Sequence, residues 1–145
     1  MPMPYRYLDD IATADAVFEA WGTTERELFI AAADAVLNVM VENPDSIEKK
    51  EERTIRCIAD SRDMLLFSLL EEIIYFKDAE QLFLRVSDVV FGDEAGRLSL
   101  TAHACGERIN PAYHELNADV KAVTLYRFSL EQTGDCWKAT VVLDI

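Results

Sequence analysis

From residue 81 to residue 145 apolar and polar side chains alternate with a period of two, and this constrains the fold more than any other feature of the chain. In "QLFLRVSDVVF" (81–91) Leu82, Leu84 and Val86 oppose Phe83, Arg85 and Ser87. In "RLSLTAHAC" (97–105) Leu98, Leu100, Ala102 and Ala104 share a side. In "KAVTLYRFSLE" (121–131) the shared side is expected to hold Ala122, Thr124, Tyr126, Phe128 and Leu130. "CWKATVVLDI" (136–145) puts Trp137, Ala139, Val141, Leu143 and Ile145 on one face and Lys138, Thr140, Val142 and Asp144 on the other. Strands of this kind bury one face and leave the other to water.

Two earlier stretches follow a helical period instead. In "TTERELF" Thr24 can cap a helix while Glu27 reaches back in a capping box, and Leu28, Ala32, Ala35, Val36, Val39 and Met40 then recur on one face. "ENPDS" (42–46) ends that helix. A second starts near Asp60 or Ser61, with Leu66, Leu69, Leu70, Ile73 and Phe76 as its inner stripe. The order strand, helix, strand, helix and then four strands predicts an α+β fold. Its form would be a two-layer, about six-stranded, mixed or mostly antiparallel sheet covered by two helices. No 20–50-residue period repeats and no Pro/Gly/Ser-rich linker divides the chain, so one domain is expected over residues 1–145.

Composition narrows the function classes. Apolar runs such as "MLLF" (64–67) fall far short of the about 20 residues a spanning helix needs. "MPMPYRYLDD" lacks the basic region and apolar core of a secretory signal, so a cytoplasmic protein with no membrane contact is expected. The formal net charge of -13 repels phosphate backbones and disfavours direct, tight nucleic-acid binding. It suits a cation or a basic protein partner. Cys57, Cys105 and Cys136 are odd in number and widely spaced, which predicts small buried thiols rather than a disulfide framework or a zinc site.

Nucleophile motifs are absent: there is no Gly-x-Ser-x-Gly and no phosphate-cradling glycine loop. His103 alternates opposite the Leu98–Ala104 side and reads as a structural or surface residue. His114 lies in the loop "INPAYHELN" and is a candidate functional residue. The acids are more informative. Asp9, Asp10 and Asp15 cluster near the start, and Asp15 immediately precedes an alternating strand. If the first and last strands are neighbours, Asp15 approaches Asp144 and the main-chain carboxylate of Ile145. Three carboxylates without a base repel one another unless a hard cation sits among them, and oxygen ligands point to Ca²⁺ or Mg²⁺. A solvated acidic strand end accounts for the same spacing.

Taken in order, "YRYLDDIATAD", "AWGTTERELF", "LLFSLLEEIIYF", "KAVTLY" and "VVLDI" resemble the archease family over most of the chain. The resemblance implies a non-catalytic activator of the tRNA-splicing RNA ligase that joins 2′,3′-cyclic-phosphate or 3′-phosphate ends to 5′-hydroxyl ends. Such an activator promotes guanylylation of the ligase's active-site histidine, supports multiple turnover and broadens nucleotide use. It also implies a divalent cation, assigned as calcium, held by the aspartate of a Thr-Ala-Asp motif and a terminal Asp-Ile pair. Here those positions are Thr13-Ala14-Asp15 and Asp144-Ile145. The chain departs from the family pattern twice: "DDIATAD" lacks the family's histidine, and Tyr113-His114 stands where the family has Lys-His. Two alternatives compete with the activator. One is a metal-dependent phosphoester hydrolase using Asp15 and Asp144 with His114 as base; the other is a chaperone-like binding module for nucleic-acid-processing proteins.

Overall fold

The computed structural model describes residues 4–8 and 15–145. Its elements are β1 (Tyr5–Leu8), β2 (Asp15–Gly22), α1 (Glu25–Met40), β3 (Glu51–Ala59), α2 (Arg62–Glu80), β4 (Leu82–Glu94), β5 (Arg97–Arg108), β6 (Ala122–Thr133) and β7 (Cys136–Asp144), with a 3-10 turn at Pro44–Ser46. The strands form two sheets, one in the order β1-β2-β7-β6 and one in the order β3-β5-β4. All the pairings between strands are antiparallel. The α+β expectation holds, with seven strands in two sheets where about six in one sheet were expected. The added strand is β1, whose four residues are too short to show a period. No parallel pair arises because β3 and β4, joined through α2, flank β5 and never meet.

Local chemistry sets the helix ends. The Thr24 side chain accepts from the Glu27 N–H at 3.1 Å, while Glu27 Oε2 accepts from the Thr23 N–H at 2.9 Å and the Thr23 hydroxyl at 2.7 Å. The box therefore closes one residue upstream of the cap. Two acids, Glu25 and Glu27, sit in the first turn of α1, where the helix dipole favours them. At the far end of α2, Gln81 takes the left-handed conformation that stops a helix.

Both helices bury against both sheets: α1 lies on β2 and β4, and α2 on β3, β4 and β6. Leu28, Phe29, Val36 and Leu37 of α1 and Leu65, Leu66, Leu69 and Leu70 of α2 are closed to solvent and belong to one apolar cluster with the inner faces of the strands. Each such side chain contributes about 1.5–3 kcal/mol of transfer free energy. β5 can lie close to β4 only because residue 106 is glycine. A Cβ there would stand 1.7 Å from the Phe83 carbonyl oxygen.

Two strands change phase, which period-two reading does not anticipate. A bulge between Val86 and Asp88 returns Val89 to the core. In β6 the register breaks between Thr124 and Ser129. Val123 is buried, and Phe128 and Leu130 pack on the core, so the expected common face of Ala122, Thr124, Tyr126, Phe128 and Leu130 is split in two. The cysteine expectation is also corrected in part. All are free thiols, with Cys57 buried, Cys105 half-buried and Cys136 exposed. Among the described residues no helix is long and apolar enough to cross a membrane.

Candidate functional site

β2 and β7 run antiparallel as central neighbours of the larger sheet, so the first residue of one meets the last of the other. The register is unbroken: Asp15 pairs with Asp144, Ala16 with Leu143, Val17 with Val142 and Phe18 with Val141. Directly paired residues point to the same side of a sheet with Cβ atoms about 5 Å apart. Ala16, Phe18, Val141 and Leu143 fill the core side. Asp15 and Asp144 therefore share the opposite face, both half-buried. Beside them on that face Val17 is 3% and Val142 1% exposed, a dry flank that strengthens repulsion between two carboxylates.

On its other side Asp144 pairs with Ala122, whose methyl leaves room over the acids, and the Asp144 carbonyl accepts from the Lys121 N–H at 2.8 Å. Ile145 packs against the core, partly buried. Among the described residues neither aspartate enters an ion pair with a basic side chain. Like charges placed directly opposite destabilise a sheet unless something positive joins them. Two hard oxygen donors on one face suit Ca²⁺ or Mg²⁺ rather than a thiophilic metal. Among the described residues, however, no group of three or more His, Cys, Asp or Glu side chains is placed to hold a metal ion, so further oxygens are needed to complete a shell. Asp9, Asp10, Thr13 and Ala14 lie outside the described residues.

His114 has a different setting. The residue is 3% exposed, with Nδ1 accepting from the Asn110 N–H at 2.9 Å and Nε2 2.5 Å from Glu107 Oε1. The Asn110 bond places the proton on Nε2, which donates to Glu107. Burial pushes the Glu107 carboxyl up, but the His114 hydrogen bond, the Glu48 N–H and the Lys50 ammonium hold it below its ordinary value. Lys50 Nζ stands 3.5 Å from Glu107 Oε2 at a cleft of about 490 Å³ that Arg108 and Tyr113 also line. Both ring nitrogens of His114 are thus engaged within its own loop and the end of β5. Sequence reasoning missed Glu107: on alternation it falls on the outer side of β5, where His114 of the folded-back loop and the Glu48–Lys50 segment close over it. His103 is exposed on the outer face of the smaller sheet, as expected.

Residues 5–145 match the Archease protein family (MTH1598/TM1083). Among relatives described as protein archease, that of Methanosarcina mazei is 35% identical over 142 residues, covering 97% of this chain and 95% of its own. That of Pyrococcus furiosus is 37% identical over 134 residues, covering 92% and 94%. The solution structure of Methanobacterium thermoautotrophicum protein 1598 superposes with a TM-score of 0.85 at 32% identity, covering 99% of this chain and 100% of that one. A Thermotoga maritima crystal structure described as an archease and possible chaperone shares the fold, with a TM-score of 0.63 at 20% identity over 92% of this chain and 93% of that one. The architecture, the extent of the match and the level of identity agree, and the chain belongs to the archease family.

Proposed function

We propose that this protein is a non-catalytic activator of the tRNA-splicing RNA ligase that joins 3′-phosphate or 2′,3′-cyclic-phosphate ends to 5′-hydroxyl ends. In this role it promotes guanylylation of the ligase's active-site histidine, sustains turnover and broadens nucleotide use. Family membership supports the reading, and the observation that carries it in this chain is the register pairing of Asp15 with Asp144. Asp15 and Asp144, together with Ile145, would hold a divalent cation, most suitably Ca²⁺, with water or main-chain oxygens filling the remaining positions. When bound, the cation supplies positive charge that offsets the repulsion between β2 and β7 at that end of the sheet. The residues themselves do the positioning. The Ala16–Leu143 and Phe18–Val141 pairs are anchored in the core, so the two aspartates are held at a fixed separation before anything binds.

A protein of this kind accelerates a partner's reaction by binding the competent conformation more tightly than the resting one, and only that difference in affinity counts. The hydrolase alternative is disfavoured because His114, its only candidate base, already spends both ring nitrogens on Asn110 and Glu107. The deciding experiment is single-turnover guanylylation of the cognate ligase with and without this protein. The expected result is faster formation of guanylylated ligase, no RNA joining by this protein alone, and a weaker effect for Asp15→Asn and Asp144→Asn. An unchanged ligase rate at saturating wild-type protein would refute the proposal. Binding of several unrelated clients without any rate effect would favour the chaperone-like alternative instead.

A further inference from the structure

In β6 four residues, 125–128, face a single residue of β7, Val141, between the pairs Thr124↔Val142 and Ser129↔Thr140. The extra length is expelled outward. Leu125 is 62% and Tyr126 60% exposed, while Phe128 turns back to stack edge-on against Phe67 of α2 at 5.5 Å. Arg127 holds a φ of 56°, a region that non-glycine side chains disfavour, with its guanidinium 5.5 Å from the centre of the Tyr126 ring. The other non-glycine residues at positive φ have local reasons: Gln81 ends a helix and Ala95 precedes Gly96 in a hairpin turn. Arg127 takes it inside the bulge itself.

β6 is an edge strand, and bulges commonly blunt edges against unwanted pairing. A purely protective bulge is served by lysine or another charge at its tip. Arg127 meets that need, but this bulge also presents leucine and tyrosine, whose exposure is unfavourable in the free protein. Tyrosine and arginine are the residue types most enriched at the centres of protein interfaces. The same strand supplies Ala122, the direct neighbour of Asp144, so the bulge lies on the edge strand that flanks the carboxylate pair.

We infer that the Leu125–Tyr126–Arg127 bulge is the surface by which this protein docks on its ligase, seated in an apolar recess within a basic surface of that enzyme. The inference rests on the function proposed above. The occupant follows from charge: an enzyme that holds RNA ends lines its surface with Lys and Arg to meet phosphates, and a protein of net charge -13 is drawn to that surface and repelled by RNA itself.

The test measures affinity for the ligase and guanylylation as a function of activator concentration for wild type, for Leu125→Ser/Tyr126→Ser, and for Tyr75→Ser. Tyr75 is a comparably exposed aromatic on α2, 56% exposed, and serves as a control. The double variant is expected to bind about tenfold more weakly or worse with an unchanged melting temperature. Its half-activating concentration should rise in proportion, and its maximal rate at saturation should match wild type. Tyr75→Ser should behave as wild type, and wild-type affinity should fall with added salt. Equal affinity for the double variant and wild type overturns the docking surface while leaving the activator reading intact. Failure of the wild-type protein to bind the ligase overturns the ligase as occupant whatever the variants do, whereas binding that the double variant loses, without any acceleration of guanylylation by wild type, overturns the activator reading and leaves the docking surface standing.

Discussion

At the scale of single residues, the buried Glu107–His114 pair shows how this fold places charge where alternation alone puts a surface side chain. His114, Lys50 and the Glu48 amide keep the carboxylate ionised inside the protein. Removing one partner strands the others, so His114→Ala is expected to destabilise by about 1–3 kcal/mol in denaturant unfolding. The sign of the pH effect follows from the depressed pKa. Glu107 contributes stability that is present above its ordinary value of 4.5 and is lost as pH falls through its lower value in the folded protein. The melting-temperature gap between wild type and Glu107→Gln should therefore be constant near neutrality and shrink in acid below about pH 4.5. A gap that widens in acid would contradict the assignment. Sequence reading found His114 but not its partner, because a histidine is rare enough to stand out while a glutamate in an acidic chain is not. Cys57, likewise, has its thiol pushed up to about 11 by burial and the charge of Glu72, so it is an inert core thiol.

At the scale of elements, both helices and the four long C-terminal strands were legible because each buries one face and so prints its period on the sequence. What escaped were the places where period fails. β1 is too short, Val86/Asp88 and Thr124/Ser129 slip phase, and the division into two sheets depends on which strands meet, a matter of long-range packing. Gly106 marks such a contact. Because an added methyl would collide with the Phe83 main chain rather than with a flexible side chain, Gly106→Ala is expected to cost about 2–4 kcal/mol by thermal or chemical unfolding. A loss below about 0.5 kcal/mol would mean that β4 and β5 can separate without penalty. Thr24→Ala removes only the helix-cap bond to Glu27 and should cost about 1 kcal/mol, leaving the Asp15–Asp144 pair in place.

At the scale of the whole molecule, antiparallel pairing of β2 with β7 turns two acids 129 positions apart in the chain into direct neighbours. Alternation in the sequence put Asp144 opposite the buried face and Asp15 at a strand end. Only the sheet order makes the two meet. If they hold calcium together with Ile145, the cation links two central strands and raises global stability by mass action, by about 2.7 kcal/mol at a hundredfold excess over Kd. The most direct measurement is calorimetric titration of the wild-type protein, Asp15→Asn and Asp144→Asn with Ca²⁺. One site per chain is expected, with affinity at least about tenfold lower in each variant and melting temperatures without calcium equal to or above that of wild type, since repulsion is relieved. No calcium heat from the wild-type protein, or equal affinity in all three, would show that these carboxylates do not share a cation.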